Sequence, residues 1–338
     1  MISQYATFGL GPAMRAGGVL SKGAYRIHRD FLDFIVDGRP LLSRLADLDA
    51  VSPLAADLGP TIFTAHVRGL LLETEAPLPA GRRVIYGCPE CEGLECGVVT
   101  AVIERDGPDV VWRDFAWQTD DTPDLYPDVG PYRFRGGQYR AELERLLARE
   151  APAGRRVLLV GQRVAFLAKL AAALRTIGIG AEVTRDAAAA HADELRGYGA
   201  VAFGRSVGPE ERAAVRDAFA AAGSDAVFVA ESAPIVPLLV ARIEQALDRS
   251  PQDQRRLAGL RAEGAQVLLD VVSPCRVRLL AHRLGRLGRP RTHALFDEQL
   301  EPGTHRIPLD ARAVRGDAFV VARTSSTVLV TPVTPVAR

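Results

Sequence analysis

The sequence predicts a multi-domain α/β chain: an N-terminal α+β domain, a central Rossmann-like domain on a parallel sheet, and a C-terminal β-sandwich. Three observations lead there. Between residues 155 and 250, short apolar runs alternate four times with longer stretches of helical periodicity. Upstream, from Arg82 to Trp117, the runs are β-branched and aromatic and are broken by Gly and Pro. Downstream of residue 264 only short strand-like runs remain. A length of 338 residues exceeds one average domain, so several cores are expected.

Residues 1–24 are rich in Gly and Ala without sustained periodicity, and read as a flexible arm or a strand lent to a neighbour. The α+β domain then runs over 25–150. Phe31, Phe34, Ile35, Leu41, Leu42 and Leu45 recur at helical spacing, and Gly38-Arg39-Pro40 splits them into two expected short helices. Pro60 suits the first position of a further helix to Leu72, because its missing N–H would be unpaired there anyway. RRVIYG, GVVTAVIERD and DVVWRDFAW read as a three-stranded meander. Phe115 and Trp117 share one face of the last strand, the pattern of core side chains. An Asp- and Pro-rich loop and a helix from Gln138 to Arg149 close the domain, and Ala151-Pro152-Ala153-Gly154 reads as a linker.

The Rossmann-like domain spans 155–250. Its strands are expected at 157–161, 181–185, 200–204 and 226–230, each followed by a helix, which implies parallel pairing with right-handed crossovers. PQDQRRLAGLRAEG then reads as a polar helix, and five short runs over 264–335 as a small β-sandwich. Pro332 and Pro335 place the last strand at a sheet edge.

Composition narrows the function classes. The formal net charge is +1 and both signs are dispersed, so no global field attracts nucleic acid or an anionic membrane. Lys22 and Lys169 are the only lysines among 42 basic side chains, and this arginine bias points to a GC-rich bacterial genome. No signal-peptide pattern or membrane-length apolar run occurs, so a cytoplasmic location is expected. Four cysteines are too few for a disulfide framework, which turns attention to metal or redox chemistry.

Three of those cysteines carry a resemblance. Cys88, Pro89, Cys91, Cys96 and Gly97, followed by Trp112 and Phe115, resemble the Cys-Pro-x-Cys, Cys-Gly, Trp-x-x-Phe pattern of an uncharacterised family of short actinobacterial proteins, over about a third of the chain. Members are sometimes labelled oxidoreductases without a demonstrated reaction, so the resemblance implies shared ancestry and not a shared chemistry. The middle domain is similar in general plan to nucleotide-binding Rossmann folds, and the C-terminal part to immunoglobulin-like accessory sandwiches.

In open α/β sheets, ligands bind beyond the carboxyl ends of the strands. Here those loops hold Gly161, Arg163, Asp186, Gly204, Arg205 and Ser232 as cofactor- or ligand-binding candidates. A dinucleotide fingerprint needs G-x-G-x-x-G, but Arg163 and Phe166 stand where the second and third glycines belong. Asp186 keeps the position of a ribose-binding acid. Arg163 or Arg205 could instead hold an anion beside a helix N-terminus. Ser206 and Ser232 have no G-x-S-x-G elbow.

Cys88, Cys91 and Cys96 form the metal candidate, with Zn²⁺ the ion that thiolates at this spacing take. Cys275, His66 or Glu95 would have to supply the fourth ligand. Buried, inert thiols are the competing reading, and Glu90, Glu92 and Glu95 oppose the lowered thiol pKa that redox chemistry requires. The six histidines share no short ligand spacing; His293 and His305 are considered as a cross-strand pair.

The function expected is a non-catalytic binding or accessory protein of a bacterial cytoplasmic pathway. An NAD(P)- or flavin-linked oxidoreductase with its site between the first two domains is the alternative. A zinc-stabilised interaction module is a third reading. Partners would be a small ligand, another protein or a second copy of the chain, and neither nucleic acid nor a membrane.

Overall fold

The computed structural model describes residues 4–19, 24–45, 47–55, 60–90, 94–119, 122–147, 156–185, 187, 190–229, 233–285, 288–310 and 312–334. The chain has a mixed α/β architecture and divides into two units, each discontinuous in sequence. The first comprises Met1–Arg15, Arg29–Ala151 and Ser250–Gln254; the second comprises Ala16–His28, Pro152–Arg249 and Arg255–Arg338. The expected linker at 151–154 lies outside the described residues. Among the described residues, no helix is long and apolar enough to cross a membrane.

Within the expected arm, Phe8–Arg15 form a strand. β1 (Phe8–Arg15) leads through β2 (Gly18–Val19) and β3 (Tyr25–Arg26) into β4 (Arg29–Val36) and β5 (Arg39–Pro40). β1 and β4 pair antiparallel over their whole length, from Phe8 opposite Val36 to Arg15 opposite Arg29. Two helices were expected over the region of β4. Phe31, Phe34, Ile35 and Val36 are buried on both faces of this strand, and such a run has no period to distinguish it from a helix. Asp37 (φ 52°) and Gly38 (φ 73°) form the two-residue turn that joins β4 to β5, the Asp-Gly hairpin signal. Only a single 3₁₀ turn, Leu41–Arg44, follows.

The rest of this unit follows the sequence more closely. α1 (Pro60–Leu70) precedes the antiparallel meander of β6 (Arg82–Tyr86), β7 (Val98–Asp106) and β8 (Asp109–Gln118). β9 (Asp124–Leu125) and β10 (Tyr132–Phe134) flank β8, and α2 (Gly136–Leu147) completes the layer. Fully buried Trp112 is the centre of the core, edge-on to Phe8, Phe34 and Phe134 at 5.2–5.9 Å. Burying an indole of about 200 Å² at roughly 25 cal/mol per Å² contributes on the order of 5 kcal/mol.

The second unit contains the expected parallel sheet. β11 (Arg156–Val160), α3 (Val164–Thr176), β12 (Gly180–Thr184), α4 (Ala192–Arg196), β13 (Ala200–Phe203), α5 (Pro209–Ala221), β14 (Val227–Val229) and α6 (Val236–Leu247) alternate along the chain. All strand pairs are parallel, in the order β12-β11-β13-β14. One face buries Val157 and Leu159 with Leu170 of α3 and Ile243 of α6. The other buries Leu158 and Val160 with Leu195 of α4 and Phe219 of α5.

Seven strands follow: β15 (Leu257–Glu263), β16 (Gln266–Val271), β17 (Cys275–Leu284), β18 (Pro290–Leu300), β19 (Gly303–Pro308), β20 (Ala318–Arg323) and β21 (Val328–Thr334). They form one sheet in the order β18-β17-β20-β21-β15-β16-β19. Val277 of β17 and Ile307 of β19 lie near opposite ends of this order yet share one core, so the sheet curls on itself. The polar helix expected over 251–264 is a 3₁₀ turn at Gln252–Gln254 followed by β15. Leu257 and Ala262 are buried in that core, and a Gly264-Ala265 turn sends the chain back antiparallel as β16. β21 is not an edge strand as expected, but it meets β15 only at Val333 and Thr334, so Pro332 costs no ladder bond on that side. β18 and β19 are not paired, and no His293–His305 bond forms among the described residues: His305 stands opposite Leu269 with its Nε2 bonded to the Glu301 carbonyl, and Nε2 of His293 has no partner.

Candidate functional site

The chain leaves β11 toward β12 on one side and returns to β13 on the other, so the sheet order reverses between β11 and β13. Loops that leave adjacent strands in opposite directions open a crevice at the strand ends, and the ligand-binding candidates fall there. Gly161 follows β11 and is buried; Gly204 follows β13. A Cβ on Gly161 would stand 3.3 Å from the Gly204 Cα, so only glycine lets these backbones approach without displacing one of them. The Gly204 N–H donates to the Val160 carbonyl at 2.7 Å and the Gly161 N–H to the Thr184 carbonyl at 3.0 Å. Across the crevice the Gln162 N–H donates to the Ser206 hydroxyl at 3.4 Å.

Arg163 immediately precedes α3, whose first turn has no acidic side chain and no side-chain cap. Arg163 and Arg205 are exposed, and neither carries an ion pair among the described residues. The structure therefore brings Gly161, Arg163, Gly204 and Arg205 together at one end of the sheet. Asp186 and Ser232 lie outside the described residues. Phe166 stands where the fingerprint's third glycine would allow close helix–strand packing, and packs against the apolar cluster beneath α3. Next to Gly204, Phe203 stacks on Phe228 at 5.9 Å, with Arg212 and Arg216 above the rings. The i, i+4 arginines of α5 are the sequence signal that could have located this stack. No general base or activated nucleophile accompanies these groups among the described residues; the crevice offers cations and backbone amides, while the Phe203–Phe228 stack packs against the core beneath α5.

A pocket of about 370 Å³ lies on the α4 side of the sheet, lined by Leu158, Glu182, Thr184, Glu194 and Tyr198 among others. Its central acid already has partners. Tyr198 donates to Glu182 at 2.5 Å, Arg156 pairs with the same carboxylate, and the Arg156 guanidinium lies 4.8 Å above the Tyr198 ring. The hydrogen bonds from Tyr198 and Arg156 hold the Glu182 carboxyl below its usual range.

The cysteine turn belongs to the first unit. Cys88 is half-buried and accepts the Glu90 N–H at 3.4 Å, while Cys96 is exposed in a 3₁₀ turn, Leu94–Cys96. Cys91 lies outside the described residues, and Cys275 is buried in the core of the seven-stranded sheet. Among the described residues, no group of three or more His, Cys, Asp or Glu is placed to hold a metal. Glu90 is bound to Arg15 at 2.6 Å, and Arg15 also grips Asp49 at 2.7 Å. Arg29 donates to the Pro89 carbonyl at 3.1 Å, which fixes this side of the turn.

Sequence reasoning missed a buried charge cluster in the second unit. Glu244 of α6 is fully buried, accepts the Gly17 N–H at 2.6 Å, lies 3.4 Å from Nδ1 of buried His28 and pairs with Arg323 of β20. Arg323 also donates to the Gly17 carbonyl at 2.6 Å. Burial alone would raise the Glu244 carboxyl; Arg323 and His28 outweigh it and hold it well below the carboxylate range. Glu244 and His28 have no exposed surface, and the cluster ties Gly17 and His28 to α6 and β20. No protein-family model matches the chain, and no curated protein matches it.

Proposed function

We propose that this chain is a non-catalytic ligand-binding protein that holds a small anionic molecule, and that its parallel sheet and helices act as a Rossmann-like domain beside a sandwich-like accessory domain. The observation that carries the reading is the crevice between β11 and β13, where two glycine loops touch and Arg163 and Arg205 stand without ion pairs among the described residues. A helix N-terminus and two guanidinium groups without ion pairs among the described residues favour negative charge. The missing fingerprint glycines argue against a dinucleotide.

The test is calorimetry on the full chain with pyrophosphate and, separately, NADH, alongside native mass spectrometry of freshly purified protein. Pyrophosphate binding that is lost in an Arg163→Ala/Arg205→Ala variant, with no NADH binding in the micromolar range, supports the reading. Tight NADH binding, or a copurified NAD(P) or flavin, would replace it with the oxidoreductase. Absence of any pyrophosphate binding would overturn it.

A further inference from the structure

The 22 residues from Cys275 to Phe296 contain six arginines, two histidines and no acid, in a chain whose overall charge is nearly balanced. They fold as the β17–β18 hairpin, with β18 at the sheet edge. Register places Arg283 directly opposite Arg291 and Ala281 opposite His293, so Arg283, Arg291 and His293 share one face. Like charges directly opposite each other destabilise a ladder. Nothing across the next strand relieves them, because the β20 residue opposite Arg283 is Ala318. None of the three side chains has an ion pair or a side-chain hydrogen bond among the described residues.

A second, independent observation points the same way. Nε of Arg283 and Nε2 of His293 are both shut off from solvent and have no hydrogen-bond partner among the described residues. Buried nitrogens left unpaired are costly, and two on one face suggest a group that is meant to lie between them. The Arg291 side chain folds back over the hairpin tip, with its Nε 3.8 Å from the position a Gly285 Cβ would take, so it can close over that group. Guanidinium groups bind phosphate oxygens through paired, charge-assisted hydrogen bonds.

We propose that the face of the β17–β18 hairpin formed by Arg283, Arg291 and His293 is a binding site for the terminal phosphate of a small phosphate monoester, separate from the β11–β13 crevice. Three donor side chains on one face match a terminal phosphate, which has three free oxygens; the diester of a nucleic-acid backbone has two.

The experiment uses the full chain and follows the thermal midpoint and calorimetric binding with inorganic phosphate, glycerol phosphate and a dinucleotide diester. Inorganic phosphate and glycerol phosphate should bind saturably and raise the midpoint, and the dinucleotide should do neither. Arg291→Gln should raise the midpoint in phosphate-free buffer by removing the repulsion, yet weaken phosphate binding by about tenfold or more, the loss of one charge-assisted hydrogen bond. His293→Gln should weaken it as well, and Arg163→Ala/Arg205→Ala should leave it unchanged. No saturable phosphate binding, equal binding by Arg291→Gln, or tighter binding of the diester would overturn the assignment.

Discussion

Replacing Glu244 by glutamine keeps the shape of the side chain and removes one charge from a site with no solvent access. The carboxylate accepts from Gly17 through Oε1 and from Arg323 through Oε2. Glutamine has one acceptor oxygen, so one of those donors must face an NH₂ group, at a cost of about 1–3 kcal/mol. Breaking a buried ion pair costs about 3–5 kcal/mol, and the lower end applies because Arg323 is 18% exposed. These losses overlap, so we expect about 3 kcal/mol at pH 7. Urea unfolding followed by far-UV circular dichroism reads it, because α6 lies in the second unit. The carboxyl pKa is depressed in the folded chain, so its stabilisation is full above the ordinary value of 4.5 and disappears as pH falls through the folded value. The gap between wild type and variant should therefore close in acid. A loss below about 1 kcal/mol, or a gap that widens in acid, would refute the ion-pair account.

Other outcomes follow from the same structure. Burial, with Arg323 nearby, lowers the His282 imidazole from 6.5 to about 4, so the unfolded chain takes up the proton first. Stability should be intact above pH 6.5 and decline by up to about 3 kcal/mol toward pH 4; His282→Asn should flatten that limb of a thermal-midpoint profile. Trp112→Ala should cost the first unit about 3–5 kcal/mol, read by the fluorescence of Trp117 during denaturation. In Gly136→Ala the new Cβ would lie 1.9 Å from the Pro108 carbonyl oxygen, so we expect a loss of about 2 kcal/mol, whereas Gly137→Ala meets nothing within 4 Å and should be nearly neutral in the same melt.

The parallel sheet was legible because each strand is a short apolar run and each helix shows one buried stripe, as in Leu167, Leu170 and Leu174. β4 was not, because burial on both faces erased its alternation and left an accidental helical spacing at Phe31, Phe34 and Ile35. β18 escaped for the opposite reason: as an edge strand it carries Arg291, Asp297 and Glu298, and its apolar run is only Ala294-Leu295-Phe296. Gly161, Arg163, Gly204 and Arg205 could be located because a general rule of α/β topology assigns ligands to strand ends. No local rule joins His28 to Glu244 across 216 positions, or Glu244 to Arg323 across 79.

Residues 16–28 interrupt the first unit but belong to the second. Gly17 and His28 leave the ribosome early, and the arginine that completes their cluster follows nearly 300 residues later. At ~5–20 residues per second this segment waits roughly 15–60 s for its partner. During synthesis it is therefore an early-made piece of a late-folding body. An expression fragment cut at residue 152, where the sequence suggests a linker, would contain every strand of the parallel sheet and the seven-stranded sheet. It would still leave Glu244 without its amide donor and its histidine, a defect that inspection of the sheets alone would not reveal.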